Sequence, residues 1–174
     1  MFKYFKKLNS QNDKLYNKIL FLSRNKLFYT KFSLGDTFEN RINLIFIHIS
    51  FLFIKVKQKD GRHFYNEFYQ QMFDLIFRRV EVNMRELGYS DTSVNKNMKI
   101  LVKTFYNILI NCEDYRNKNL DKKKFFLHKY LAINANKNKA QNMDLIGYFD
   151  KYHSFCLDLS RDKVLKGELN FNYK

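Results

Sequence analysis

The stretch HFYNEFYQQMFDLIFRRVEVNMRELG, residues 63–88, decides the fold class. Phe64, Phe68, Met72, Ile76, Val80 and Met84 recur every fourth residue, with Tyr65, Tyr69, Phe73 and Phe77 beside them, while Glu67, Gln71, Asp74, Arg78, Glu81 and Arg85 fall on the other side. Repeats of four share one face of a helix that turns every 3.6 residues, and the alternation by two of a half-buried strand is absent. The spacing therefore predicts one long amphipathic helix. Asp60-Gly61 supplies a turn before it, and Gly88 ends it, because a residue without Cβ enters the left-handed region that stops the hydrogen-bond ladder.

The same reading extends outward in both directions. Downstream, Asp91, Thr92 and Ser93 offer an N-cap, and Val94, Met98, Leu101, Phe105, Ile108, Cys112 and Tyr115 then alternate by four and three, the pattern of a helix packed along a narrow seam. A polar break at Arg116 to Asn119 precedes a shorter helix from about Asp121 to Ile133, then an Asn- and Lys-rich loop from Asn134 to Asn142. A final helix carries Leu145, Tyr148 or Phe149, Tyr152, Cys156 and Leu159. Upstream, Asp36 and Glu39 have the spacing of a capping box at the head of a helix reaching about Lys57. Its apolar run, Ile42 to Val56, is interrupted by Asn43, His48, Ser50 and Lys55 and falls short of the roughly 20 residues needed to span a bilayer, so it reads as a buried core helix. Asn12 or Asp13 is placed to cap a first helix with Leu15, Ile19 and Leu22 on its inner face, and a basic aromatic link, Arg24 to Phe32, follows.

These elements define an all-α fold, a single helical domain of about six to eight helices. The expected organisation is a basic aromatic N-terminal segment at 1–11, a helical domain at 12–160, and a polar, frayed C-terminal tail at 161–174. Five Gly and no Pro argue against a barrel or sandwich with many tight turns. No solenoid-length repeat is present.

The 174 residues carry 32 Lys plus Arg against 17 Asp plus Glu, a formal charge of +15. Such a field attracts polyanions or an anionic membrane surface. A genome of biased nucleotide composition also enriches Lys, Asn, Phe, Ile and Tyr together, so the charge alone does not separate the two origins. Cys112 and Cys156 both sit in helical apolar spacing and suit a reducing compartment. Met1 to Leu8 places Phe2, Tyr4 and Phe5 among Lys3, Lys6 and Lys7 with no apolar run behind them. This is not a secretory signal, and it reads either as a short peripheral membrane anchor or as a frayed cationic end.

The chemistry of catalysis finds no pattern here. His48, His63, His128 and His153 stand singly, and none shares a ligand spacing with another His or Cys, so a metal site is disfavoured. No Gly-rich phosphate loop, nucleophile elbow or Cys-x-x-Cys occurs. The expectation is a soluble, non-enzymatic binding protein with no catalytic residue, no metal and no cofactor. In the Arg85-Glu86 pair of the long helix's last turn, Arg85 complements the negative helix end, and either residue can lock the corner by pairing with Asp91 or with Lys96 or Lys99 on the next helix, or meet a partner directly.

Taken together, these stretches resemble the ubiquinol-cytochrome c chaperone family, assembly factors for cytochrome b of respiratory complex III. The resemblance rests on Leu15-Tyr16, Ser23-Arg24 and Phe28-Tyr29; Asp36-Thr37 with Arg41; Met72-Phe73-Asp74; Arg85-Glu86-Leu87-Gly88 with Asp91; Val94 with Lys96, Met98 and Lys99; and Phe105-Tyr106. A weaker echo runs through Leu131 to Asn136 and Leu145 to Tyr148. Two positions depart from the family pattern: Asn107-Ile108 stands where members commonly carry Gly-Arg, and Gly35 stands where they carry Pro.

The resemblance implies an all-helical chaperone that binds newly made cytochrome b. In mitochondria such a protein acts near the ribosomal tunnel exit with a small partner subunit. The short N-terminus resembles bacterial members, which places the protein in the bacterial cytoplasm, with peripheral contact at the inner membrane, or in the mitochondrial matrix for a eukaryotic source. The partners this reading carries are nascent cytochrome b, the ribosome or its RNA, a small assembly partner protein, and an anionic membrane surface. A general basic RNA- or ribosome-binding helical module is the rival from a different class. Asp36, Arg41, Arg85, Glu86, Asp91 and Lys99 form the expected interaction or corner-fixing cluster.

Overall fold

A computed structural model describes the backbone over residues 2–57, 62–133 and 139–173, and the side chains over 11–57, 65–133 and 143–173. The helices among these residues are α1 (Phe2–Ser23), α2 (Leu27–Thr30), α3 (Phe38–Lys57), α4 (Arg62–Glu86) and α5 (Asp91–Glu113). After a 3-10 turn at Tyr115–Asn117 follow α6 (Leu120–Tyr130), α7 (Lys139–Asp158) and α8 (Arg161–Leu165). The described residues contain no strand, only an isolated antiparallel bridge between Leu34 and Ile133. The fold is all-α and organised around one core.

Helix α3 is that core's axis. From Ile42 to Val56 every residue is buried, because α1, α4, α5, α7 and α8 all pack on it. A helix covered on every side must satisfy its polar groups internally. His48 Nδ1–H donates to the Leu44 carbonyl at 2.6 Å, which leaves Nε2 to accept from the Tyr148 hydroxyl at 2.8 Å. Ser50 donates back to the Phe46 carbonyl at 2.7 Å and Asn43 to the Tyr130 carbonyl at 2.7 Å, while the Lys55 ammonium donates to the Leu157 carbonyl. Asn40 closes the top of the helix: its amide donates to the Gly35 and Ala132 carbonyls at 2.7 and 3.1 Å, and its carbonyl oxygen accepts from the Ala132 N–H at 2.8 Å.

The periodicities of α4 and α5 hold at the described positions, except that Met98 on the α5 seam is only half-buried. Phe68, Met72, Ile76, Val80 and Met84 are buried, as are Val94, Leu101, Phe105, Ile108 and Cys112, with Tyr115 continuing the seam. Phe105 meets Phe46 at 5.2 Å and Phe77 at 5.8 Å between ring centroids.

Helix ends depart from the expected caps. The N–H of Asn40 is taken by the Thr37 hydroxyl at 3.2 Å, so Thr37 caps α3, while Asp36 lies one residue too early and turns to Arg41 instead. Ser90, with extended backbone, caps α5 ahead of the Asp91-Thr92-Ser93 group. Asn12 and Asp13 lie inside α1 rather than at its start. Asn12 donates to Gln71 at 2.8 Å and Asp13 pairs with Arg79 at 3.4 Å, both on α4.

Of the stretch expected to fray, 161–174, the described residues 161–173 instead fold back. Ser160 caps α8, Val164 and Leu169 are buried, and Gly167, at φ +64°, lies directly against the α1 backbone at Leu15. The link from Arg24 to Phe32 contains α2 and buries Phe28 and Phe32. The expected turn at Asp60-Gly61 lies outside the described residues, as do positions 134–138 of the Asn- and Lys-rich loop and the side chains of Met1 to Leu8, His63 and Phe64, while positions 139–142, expected in that loop, are already the first turn of α7.

Candidate interaction surface

The end of α4 follows from its sequence. Gly88, at φ +84°, lets the Tyr89 N–H reach the Met84 carbonyl at 3.1 Å and the Gly88 N–H reach the Arg85 carbonyl at 2.9 Å, the two bonds of a Schellman stop. The chain then re-enters helix at once through Ser90. Arg85 braces this corner: its guanidinium donates to Glu81 through Nε and Nη2, at 3.1 and 2.9 Å, and to Asp91 through Nη1. The Asp91 and Glu81 carboxylates raise the Arg85 pKa further above its ordinary value.

A second ion pair stands where α3 begins. Arg41 holds Asp36 in a bidentate grip, Nε to Oδ1 at 2.7 Å and Nη2 to Oδ2 at 2.9 Å. That grip keeps the Asp36 carboxyl below the usual range and raises the Arg41 pKa. The rings of Phe38 and Tyr89, each two residues from one of these carboxylates, approach to 6.4 Å and tie the head of α3 to the α4–α5 corner. Of the six expected cluster residues, Asp36 and Arg41 thus form one pair and Arg85 and Asp91 the other. Glu86 and Lys99 are exposed and hold no ion pair among the described residues.

Lys99 instead belongs to the outer face of α5, where Lys96, Lys99 and Lys103 are exposed beside Ile100, Tyr106 and Ile110. Ile110 is 64% exposed. Beyond it, α6 leaves Phe125 71% exposed on the rim of a cleft of about 370 Å³, lined by Asn111, Lys118, Asp121, Lys122, Phe125 and Phe126. The expected cluster missed Ile110 and Phe125. A signal for Phe125 existed in the Phe125-Phe126 doublet, since neighbours on a helix point about 100° apart and one of them must leave the core.

His48 suits structure better than chemistry. Burial drives the His48 pKa down to about 4, so its ring stays neutral, and the hydrogen bonds given above use both of its nitrogens. Burial likewise pushes the Cys112 and Cys156 thiols up and away from the reactive thiolate. Among the described residues, no group of three His, Cys, Asp or Glu is placed to hold a metal ion, and no helix is long and apolar enough to cross a membrane.

The family model described as Ubiquinol-cytochrome C chaperone matches residues 30–171. Among solved structures, the crystal structure of the Cbp3 homolog from Brucella abortus superposes with a TM-score of 0.79 at 22% identity, covering 99% of this chain and 94% of that one. Likeness at that identity is one of fold. No curated protein matches the chain.

Proposed function

This chain belongs to the ubiquinol-cytochrome C chaperone family, and from that premise we propose that it is a non-enzymatic assembly chaperone that binds newly made cytochrome b while complex III is built. The match over residues 30–171 carries the reading, and the surface supports it. A chaperone for a membrane polypeptide needs apolar side chains held in water without unfolding its own core. Ile110 and Phe125 meet that need: each stands exposed on a helix whose opposite face is fully packed, with lysines alongside that keep the patch hydrated. The α5 face and the α6 cleft are the surface where an emerging apolar segment of the client rests, in the compartment where cytochrome b is made. The Arg85–Asp91 pair serves this surface by fixing the corner from which α5 departs.

Deletion of the gene is expected to lower cytochrome b and complex III activity without reducing the corresponding messenger RNA, and unchanged complex III would overturn the reading. Restoring the deleted strain with an Ile110→Glu, Phe125→Glu double variant tests the surface. The variant should melt as the parent does yet fail to restore complex III. Arg85→Glu probes the corner, and a variant that folds and restores complex III fully would remove both roles given to Arg85.

A further inference from the structure

The outer face of α1 carries a second surface that the client reading does not use. Leu15, Ile19 and Leu22 are buried on one side of the helix, so Lys14, Asn17, Lys18 and Phe21 line the other at the spacing of one stripe, all exposed. Phe21 is 76% exposed, the most open of the large apolar side chains described. It stands between two shallow depressions. One, of about 580 Å³, is lined by Asn17, Leu20, Phe21, Arg24, Asn25 and Lys26, and the other, of about 670 Å³, by Asp13, Lys14, Asn17, Lys18 and Phe21. Asp13, the one carboxylate there, is paired with Arg79, while Lys14, Lys18, Arg24 and Lys26 have no ion pair among the described residues.

We propose that this face docks the protein on an anionic phospholipid surface, with the Phe21 ring entering the headgroup boundary and Lys14, Lys18, Arg24 and Lys26 meeting lipid phosphates. The geometry fits that occupant. From Lys14 to Ser23 the helix runs about 14 Å, held tangential to the molecule by its packed inner stripe, so its outer stripe meets a plane side-on, with Arg24 directly after its last turn. A projecting phenyl ring among cations is what a bilayer interface accepts at once, apolar below and charged above, as in helices that lie in the interface. A polyanion such as RNA would be served by the cations but gives a flat stripe no groove to follow, and among the described residues no array of aromatic rings stands here on which successive bases could stack.

Flotation of the full chain with vesicles tests this, using phosphatidylcholine alone and phosphatidylcholine with about a third phosphatidylglycerol. Binding is expected only to the anionic vesicles and should weaken with salt. Lys18→Gln should lower the partition coefficient about fivefold, the factor for one cation near such a surface, and Phe21→Ser about tenfold or more. Circular dichroism checks that both variants keep the helical fold. Equal binding to the two vesicle types, no binding to either, or wild-type binding by Phe21→Ser would each overturn the proposal. So would capture of a single-stranded RNA homopolymer that these variants abolish while vesicles are ignored. The client reading stands apart, because its loss shows in complex III and the loss of this surface shows in flotation.

Discussion

Gly88 and Gly167 share a left-handed backbone but not a neighbourhood, and the difference sets what an alanine would do at each. A Cβ at Gly88 would meet nothing within 4 Å, so Gly88→Ala carries only the backbone strain, about 1 kcal/mol. At Gly167 the added carbon would stand 2.9 Å from the Leu15 nitrogen and 3.2 Å from its Cα, and a helix backbone cannot swing aside as a flexible side chain can. Gly167→Ala should therefore cost on the order of 3 kcal/mol in urea unfolding, strain and overlap together.

His48 gives a prediction in pH. Its native pKa, about 4, lies below the 6.5 of an exposed histidine, so above pH 6.5 both native and unfolded states hold it neutral and its contribution is complete. As pH falls from 6.5 to 4 only the unfolded chain takes up the proton, and stability should drop by about 1.4 kcal/mol per unit from this residue. His48→Asn, weaker than the parent at pH 7, should close the gap as the buffer is acidified. A gap that stays constant from pH 7 to 5 would show that the ring is not held neutral.

At the scale of the element, the head of α3 separates two neighbouring polar residues by role. Thr37→Ala removes the cap from the Asn40 N–H and should cost about 1 kcal/mol in denaturant unfolding. Asp36→Asn breaks only an exposed ion pair and should hardly move the midpoint.

That pair of residues also shows where sequence reading stops. The stripes of α4 and α5 were legible because burial imposes a period on many residues at once, and α3 was legible because apolar residues surround its few polar ones. A cap depends on one residue's backbone angles, and where Asp36 and Thr37, or Ser90 and Asp91, stand side by side, composition cannot choose between them. Asn12 and Asp13 looked like a cap because their partners, Gln71 and Arg79, lie 59 and 66 residues away. The candidate site divides in the same way. Asp36–Arg41 and Arg85–Asp91 are local pairs within reach of spacing arguments, whereas the Phe38–Tyr89 contact that joins them belongs to tertiary packing.

For the whole molecule, the C-terminal segment decides whether the core is closed. Its composition is polar, yet Val164 and Leu169 are buried, and Phe171 approaches Tyr152 to 5.1 Å and Tyr148 to 5.5 Å. Tyr173 meets Tyr148 at 5.1 Å and donates its hydroxyl to the Asp144 carbonyl at 3.4 Å. Together with Gly167 on Leu15, these contacts fasten α1 and α7 with one strap. A chain ending at Ser160 would expose the rings that partner His48 and lose two fully buried aliphatic side chains, worth roughly 1.5–3 kcal/mol each. Truncation should thus lower stability by about 4 kcal/mol or more and release near-ultraviolet signal from the tyrosines around α7, whereas a frayed tail could be removed with neither effect. Because such a loss removes the scaffold, client capture should fall in step with the folded fraction. Ile110→Glu with Phe125→Glu should instead separate the two, leaving melting intact while capture fails, and that contrast is what distinguishes a surface used for binding from a segment used for folding.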